Sequence, residues 1–258
     1  MSMIELSVVL PIFNAENHLE GSLKELDDFL KRYYEHFEII AVDDGSTDTT
    51  PSLLSSRDMK ELRYIRLDRN RGKGFAVAQG MKAANGACRI FTDVDLPYDL
   101  RSIPFSVNLI NDHGYHLVVG DRTLPGSDYF AHIGKYRTFA SRLFAAIVRL
   151  GIAGDMFDTQ CGFKAFRGDI AAELFGMVTL RGFSFDAEVL YIALKYNMAI
   201  RRIPVRFRPS SSTTVRPFFD GIKMLISILR PPRNWRLGMY KNEELERICR
   251  NYYWENMD

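Results

Sequence analysis

The sequence is poor in cysteine, balanced in charge and without long apolar runs, and each shortage narrows what the chain can be. Its three cysteines, Cys88, Cys161 and Cys249, are odd in number, far apart and never in C-x-x-C spacing. That pattern supports no disulfide framework and points to a reducing compartment. His113 and His116 lie close together, but Gly114 between them reads as a helix-to-strand turn, and no further Cys or His cluster supports a zinc site. A formal net charge of +2 does not fit wholesale nucleic-acid binding. No stretch reaches the roughly 18 consecutive apolar residues of a membrane span. The chain runs from Met1 into a strand-like segment without a secretory signal pattern. The expectation is a cytoplasmic chain, or one lying peripherally on the cytoplasmic face of a membrane.

Two familiar nucleotide motifs are missing as well. Asn70-Arg71-Gly72-Lys73-Gly74 does not fit G-x-x-x-x-G-K-[ST], and Val77 stands where G-x-G-x-x-G needs its third glycine. A kinase or a nicotinamide dehydrogenase is therefore poorly supported. What remains is still a tight basic turn before a helix, which suits either a phosphate or a plain solvated loop.

What is present is an alternation of strands and helices. The composition, 47% hydrophobic and 26% charged, is that of a globular protein. At 258 residues the chain is near the upper limit for one hydrophobic core, so a domain with an appendage is expected. Ile4 to Ile12, Phe37 to Val42, Leu62 to Leu67 and Arg89 to Phe91 read as buried strands. Leu19, Leu23, Leu26 and Leu30 give one face of a helix, and a second helix runs from Gly74 through Ala84. Short connections between these elements predict an α/β fold with a mostly parallel central sheet, its ligand face at the strand exits. The second half is less regular. It offers a strand at Tyr115 to Val119, a helix at Lys135 to Leu150, helices from about Asp169 and Phe183, and a strand from Ile200 to Phe207.

Polar residues gather at the strand exits. Phe13 offers a flat apolar surface to a base, while Asn14, Glu16 and Asp44 can hydrogen-bond base or ribose; alternatively Phe13 is core and the acids are turn residues. Asp93-Val94-Asp95 follows the fourth strand and stops at Pro97. Alone, such a pair reads as a solvated turn. At a strand exit it can also hold Mg²⁺, which takes one or two carboxylates together with substrate phosphates. The joint occurrence of these residues at successive exits favours the nucleotide and the metal.

Together, Val8 to Glu16, Val42 to Asp48, Asn70 to Gly74 and Thr92 to Pro97 resemble the successive motifs of family 2 inverting glycosyltransferases with the GT-A fold. Asp158-Thr159-Gln160-Cys161-Gly162-Phe163-Lys164 and Phe185 to Leu190 resemble the polyprenyl- and dolichyl-phosphate sugar synthases, nearest to the dolichyl-phosphate β-glucosyltransferases. Mannose synthases of the same group fit the Asp158 segment less well. The resemblance runs from about Ser7 to Phe207. It implies a catalytic domain over 1–210 and a basic amphipathic helical extension over 211–258.

Carried over residue by residue, the resemblance puts Pro11, Phe13, Asn14, Glu16 and Asp44 around the nucleotide, with Lys73 approaching the donor. Asp93 and Asp95 would hold Mg²⁺ or Mn²⁺, with Val94 between them in place of the commoner alanine. Arg122, Arg137, Ser141, Gln160 and Arg206 would meet the acceptor, and Asp95, Asp158 and Arg122 would be catalytic. The implied donor is a UDP-sugar, UDP-glucose first and a GDP-sugar second, and the implied acceptor is a lipid phosphate. A hydroxyl acceptor would require a base such as Asp158, whereas a phosphate, ionising a second time near pH 6, arrives anionic. The rivals are a family 2 enzyme acting on a glycan or glycolipid hydroxyl, and a sugar nucleotidyltransferase. The tail from Arg216 to Arg236 is apolar and basic, suited to a membrane interface or to packing on the domain or a second copy.

Overall fold

The computed structural model describes residues 3–128, 158–208, 227 and 229–255. The chain begins β1 (Leu6–Ile12), α1 (Leu19–Leu30), β2 (Phe37–Asp43), α2 (Thr50–Ser55), β3 (Leu62–Arg66), α3 (Lys73–Ala83), β4 (Cys88–Phe91), α4 (Ser102–Asn111) and β5 (Leu117–Asp121). It resumes with β6 (Lys164–Arg167), α5 (Gly168–Met177), α6 (Phe185–Lys195), β7 (Ile200–Pro204), α7 (Arg230–Arg236) and α8 (Glu243–Glu255).

The β-branched runs become strands because both faces of the sheet are covered. Alternate residues of β1 and β2 pack to opposite sides. Leu6, Val8, Leu10, Ile39 and Ala41 meet α1 and α4, which present Leu19, Leu23, Leu26, Leu30, Ile103 and Ile110. Val9, Ile40, Val42 and Phe91 meet α3, α5 and α6 on the other side. Each large apolar side chain buried this way is worth about 1.5–3 kcal/mol, so a charge at Leu26 would detach α1 from the sheet.

The seven strands lie in the order β3-β2-β1-β4-β6-β5-β7. β1 pairs in parallel with β2 and β4, β2 with β3, and β5 with β7. β6 is antiparallel to both neighbours, with Phe91 opposite Lys164 and Val118 opposite Ala165. The sheet is thus mostly parallel, as expected, with one reversed strand that the sequence pattern does not reveal. The chain winds outward from β1 to β3 and then returns to the other side of β1. That reversal makes the carboxyl ends of β1 and β4 the topological switch point of the sheet, where such folds place their ligand crevice. Because β6 is reversed, its first residue, Lys164, reaches the same end.

Boundaries move by a few residues from those expected. β1 begins at Leu6 and β7 ends at Pro204, after which Phe207 makes a single bridge to Tyr98. Helix α4 escapes the periodicity because Pro104 falls in its first turn, where a proline is tolerated. Gly114 does make a turn, with φ of 69°. Buried His116 accepts a hydrogen bond at Nδ1 from Ala199 N–H at 2.8 Å, joining the starts of β5 and β7. Burial and the nearby Arg167 push its pKa down to about 4, so it is a neutral structural group.

The described part of the 211–258 segment packs on the main core. Trp235 meets Tyr191 and Tyr196 edge-on, and Tyr240, Leu245 and Cys249 join the cluster around α5 and α6. The helix expected over Lys135 to Leu150, and most of the apolar tail stretch before Leu229, lie outside the described residues.

Candidate active site

The exits of β1 and β2 are laced to each other. Asn14, at φ of 50°, takes Ser46 Oγ on its backbone N–H at 2.9 Å, and its Oδ1 accepts Thr47 N–H at 2.9 Å. Glu16 Oε2 accepts from the backbone and hydroxyl of Thr49 at 3.0 and 2.7 Å. Ala15 N–H donates to Thr50 Oγ1 at 2.9 Å. Polar residues proposed for a nucleotide therefore also hold the loop that would meet it. Phe13 stands out from this lacing with 41% of its surface exposed, a flat apolar ring open at the strand exit. Pro11 is half-buried within β1.

Asp44 is buried, and its two oxygens accept the N–H groups of Arg71 and Gly72, each at 2.7 Å. Burial raises its pKa and those two amides oppose the rise. The consequence is positional: the carboxylate fixes the turn that starts α3. Gly72 there has φ of 96°, and a Cβ would sit 2.5 Å from Arg181 O, so only glycine fits. Lys73 is the first residue of α3, and its Nζ reaches Asp93 Oδ1 at 2.5 Å. A lysine at a helix N-terminus faces the positive end of the helix dipole. Burial further disfavours its charge, yet Asp93 and Asp186 outweigh these effects and raise its pKa.

Asp93, Val94 and Asp95 are half-buried at the exit of β4. The turn closes through Leu96 N–H to Asp93 O at 3.0 Å, with Leu96 in the left-handed region at φ of 45°. Asp93 also meets the segment leading into β6, since a Cβ on Gly162 would fall 2.2 Å from its Oδ2. Backbone thus approaches the carboxylate where no other residue would leave room. Among the described residues no group of three or more His, Cys, Asp or Glu could hold a metal. Two hard oxygen donors at a crevice, with the other ligands left to phosphate and water, are the donor set expected for Mg²⁺ or Mn²⁺. The residues present fit such an ion.

The other wall is built from ion pairs. Arg122, just after β5, donates to Asp158 from its backbone N–H at 2.9 Å, from Nε at 2.7 Å and from Nη2 at 2.8 Å. Their side chains are only 12% and 6% exposed. Burial alone would raise the Asp158 pKa, but the guanidinium holds the carboxyl below the usual aspartate value. Lys164, fully buried, donates to Asp186 Oδ1 at 2.5 Å, Cys161 O at 2.7 Å and Thr159 O at 3.2 Å, with its ammonium 5.4 Å from the centre of the Phe91 ring. It therefore pins the Thr159–Cys161 backbone to the first turn of α6. Gln160 lies half-buried on this strip, and its Nε2 has no hydrogen-bond partner among the described residues. Arg206 is exposed on the segment after β7, where its carbonyl accepts Asp99 N–H at 3.0 Å. Arg137 and Ser141 lie outside the described residues.

Two residues after Asp186, in the same first turn of α6, buried Glu188 accepts four donors. These are Thr179 N–H at 3.0 Å, Leu180 N–H at 2.7 Å, and the hydroxyls of Thr179 and Tyr240, each at 2.5 Å. The adjacent Arg181 carbonyl accepts Phe75 N–H at 3.2 Å, so this network bears on the turn that carries Lys73. Lys164, Asp186 and Glu188 fall within the segments that carry the family resemblance, but the sequence alone assigns them no task. Their signal was isolated charge in otherwise apolar surroundings, which is tolerated inside a protein only when paired.

Comparison with known proteins gives the family and the fold. Residues 7–175 match the family model described as glycosyl transferase family 2. A dolichyl-phosphate beta-glucosyltransferase of Dictyostelium discoideum is 30% identical over 251 residues, covering 92% of this chain and 77% of the relative. Its namesake in Drosophila melanogaster is 31% identical, covering 93% and 80%. Among solved structures, glucosyl-3-phosphoglycerate synthase from Mycobacterium tuberculosis, in complex with Mn²⁺, UDP and glucosyl-3-phosphoglycerate, superposes with a TM-score of 0.60. At 22% identity, over 88% of this chain and 78% of the other, it establishes a shared fold.

Proposed function

The chain belongs to glycosyl transferase family 2, and from that membership and the site we propose that it moves glucose from UDP-glucose to the phosphate of a dolichyl or related polyprenyl lipid. The names of the two curated relatives support the sugar and the acceptor. The UDP of the structural neighbour supports the nucleotide.

In this reading the uracil stacks on Phe13, with Pro11, Asn14, Glu16 and Asp44 around base and ribose. Asp93 and Asp95 would hold Mg²⁺ or Mn²⁺, which would supply positive charge to the leaving diphosphate. Lys73 adds a second cation on that side. The bond from sugar C1 to the diphosphate oxygen breaks, its electrons leaving with UDP. A lipid phosphate oxygen forms the new bond from the opposite face, which inverts C1 and yields a β-linkage. Arg122, Gln160 and Arg206, with Arg137 and Ser141, surround the acceptor.

The observation that carries the phosphate acceptor is the Arg122–Asp158 pair. A hydroxyl acceptor must lose a proton to a base such as Asp158. Three donor contacts from Arg122 hold that carboxylate ionised and weakly basic. A phosphate dianion needs no such help. Asp158 then orients Arg122 and shapes the wall behind the sugar.

No helix among the described residues is long and apolar enough to cross a membrane. The lipid is reached from a membrane surface, and the proposal places the protein peripherally on the cytoplasmic face, where its three cysteines are free thiols. Purified protein with UDP-glucose, Mn²⁺ and a short dolichyl phosphate is expected to release UDP and form a β-glucosyl phosphate lipid. Transfer to dolichol or 3-phosphoglycerate hydroxyls, with none to the lipid phosphate, would overturn the reading.

A further inference from the structure

Lys73 is placed where helix stability argues against it. It opens α3 at the positive end of the helix, its side chain is 18% exposed, and its ammonium touches Asp93 at 2.5 Å. Its root cannot retreat. The preceding Gly72 is held by Asp44 Oδ2 at 2.7 Å and is pressed against Arg181 O. Asp95 and Asp186 also act electrostatically on the ammonium, but Asp186 already has Lys164 at 2.5 Å. Asp93 is thus the direct partner of Lys73, and Gly162 closes on the same carboxylate from the far side.

We infer that Lys73 is a built-in competitor for the divalent cation at Asp93, so that metal and nucleotide diphosphate load together rather than one after the other. The inference rests on the reading that Asp93 and Asp95 are the metal ligands. A divalent ion approaching Asp93 meets an ammonium already there, and two cations on one carboxylate repel each other. The diphosphate resolves the conflict. Its oxygens accept Lys73 and complete the coordination of the ion, so Lys73 passes from Asp93 to phosphate as the ion arrives. Metal affinity without nucleotide is then held down by the protein itself. That restraint keeps a bare ion from occupying the site in a geometry unsuited to the donor.

The test measures Mn²⁺ binding by the loss of the free-ion paramagnetic signal, without and with UDP, in wild type, K73M, K73Q, D93N and D95N. Wild type is expected to bind Mn²⁺ weakly alone and at least tenfold more tightly with UDP. K73M and K73Q remove the competitor and are expected to bind Mn²⁺ alone about tenfold better than wild type, with a smaller further gain on adding UDP. Two neutral substitutions guard against one of them disturbing the fold, which their thermal transitions report. If both folded variants bind Mn²⁺ alone no better than wild type while D93N and D95N lose binding, the competition is refuted and the metal site stands. If D93N and D95N bind as wild type does with UDP, the metal reading fails and the inference falls with it.

Discussion

On the β1–β2 side of the site the carboxylates of Asp44 and Glu16 take their hydrogen bonds from backbone amides and a neighbouring hydroxyl at the mouth of the crevice. On the β6–α6 side Asp158 and Asp186 face arginine and lysine side chains in the interior. The same residue type serves two purposes. The first arrangement shapes loops through their backbone amides and leaves Phe13 exposed. The second builds a rigid wall from buried pairs of opposite charge. Substitutions in the first region should therefore disturb binding more than folding, and those in the second should do the reverse.

The largest effect is expected at the buried pair. Lys164→Met strands Asp186 in the interior and should cost about 3–5 kcal/mol in denaturant unfolding, whereas joint K164M/D186L should recover most of it. A loss below about 1 kcal/mol in the single variant, smaller than any buried pair should give, would remove the distinction between the two walls.

His116 supplies a graded version of the same contrast. Its folded pKa of about 4 lies below the unfolded value of 6.5, so between these values the unfolded chain binds more protons. Stability should be full above pH 6.5 and fall as the pH drops toward 4, by roughly 3 kcal/mol in all. His116→Gln should flatten that dependence in a pH series of thermal unfolding curves. An unchanged slope would show that other groups set the acid limit.

The smallest stability effect should come from the exposed wall. Phe13→Ala should shift unfolding by less than about 0.5 kcal/mol while weakening UDP binding by about 1–3 kcal/mol in calorimetry. A variant that unfolds easily but binds UDP normally would place Phe13 with the structural residues instead.

The two walls also differ in how far the sequence discloses them. The β1 and β2 runs and the leucine face of α1 are visible because each is a local pattern with a single period. Phe13, Asp44 and Asp93 can be nominated because strand exits concentrate function in such sheets. The Lys164–Asp186 pair joins positions 22 apart in sequence and exists only because β6 runs backwards. Nothing local reports that reversal, since Lys164-Ala165-Phe166-Arg167 is short and shows no clear alternation. The Arg122–Asp158 pair spans 36 positions, so both residues could be nominated from the sequence and their contact with each other could not.

Tyr240 gives the fold a property that concerns its making rather than its chemistry. Its hydroxyl is one of the four donors on the Glu188 carboxylate, and that network steadies the turn from which Lys73 projects. A ribosome releases Phe13, Asp44, Asp93 and Asp158 long before it releases Tyr240. Until then Glu188 lacks one of its hydroxyl donors, and the Thr179–Arg181 loop has a weaker hold on α3. A fragment that stopped before Tyr240 would bear every recognisable motif and still lack this donor.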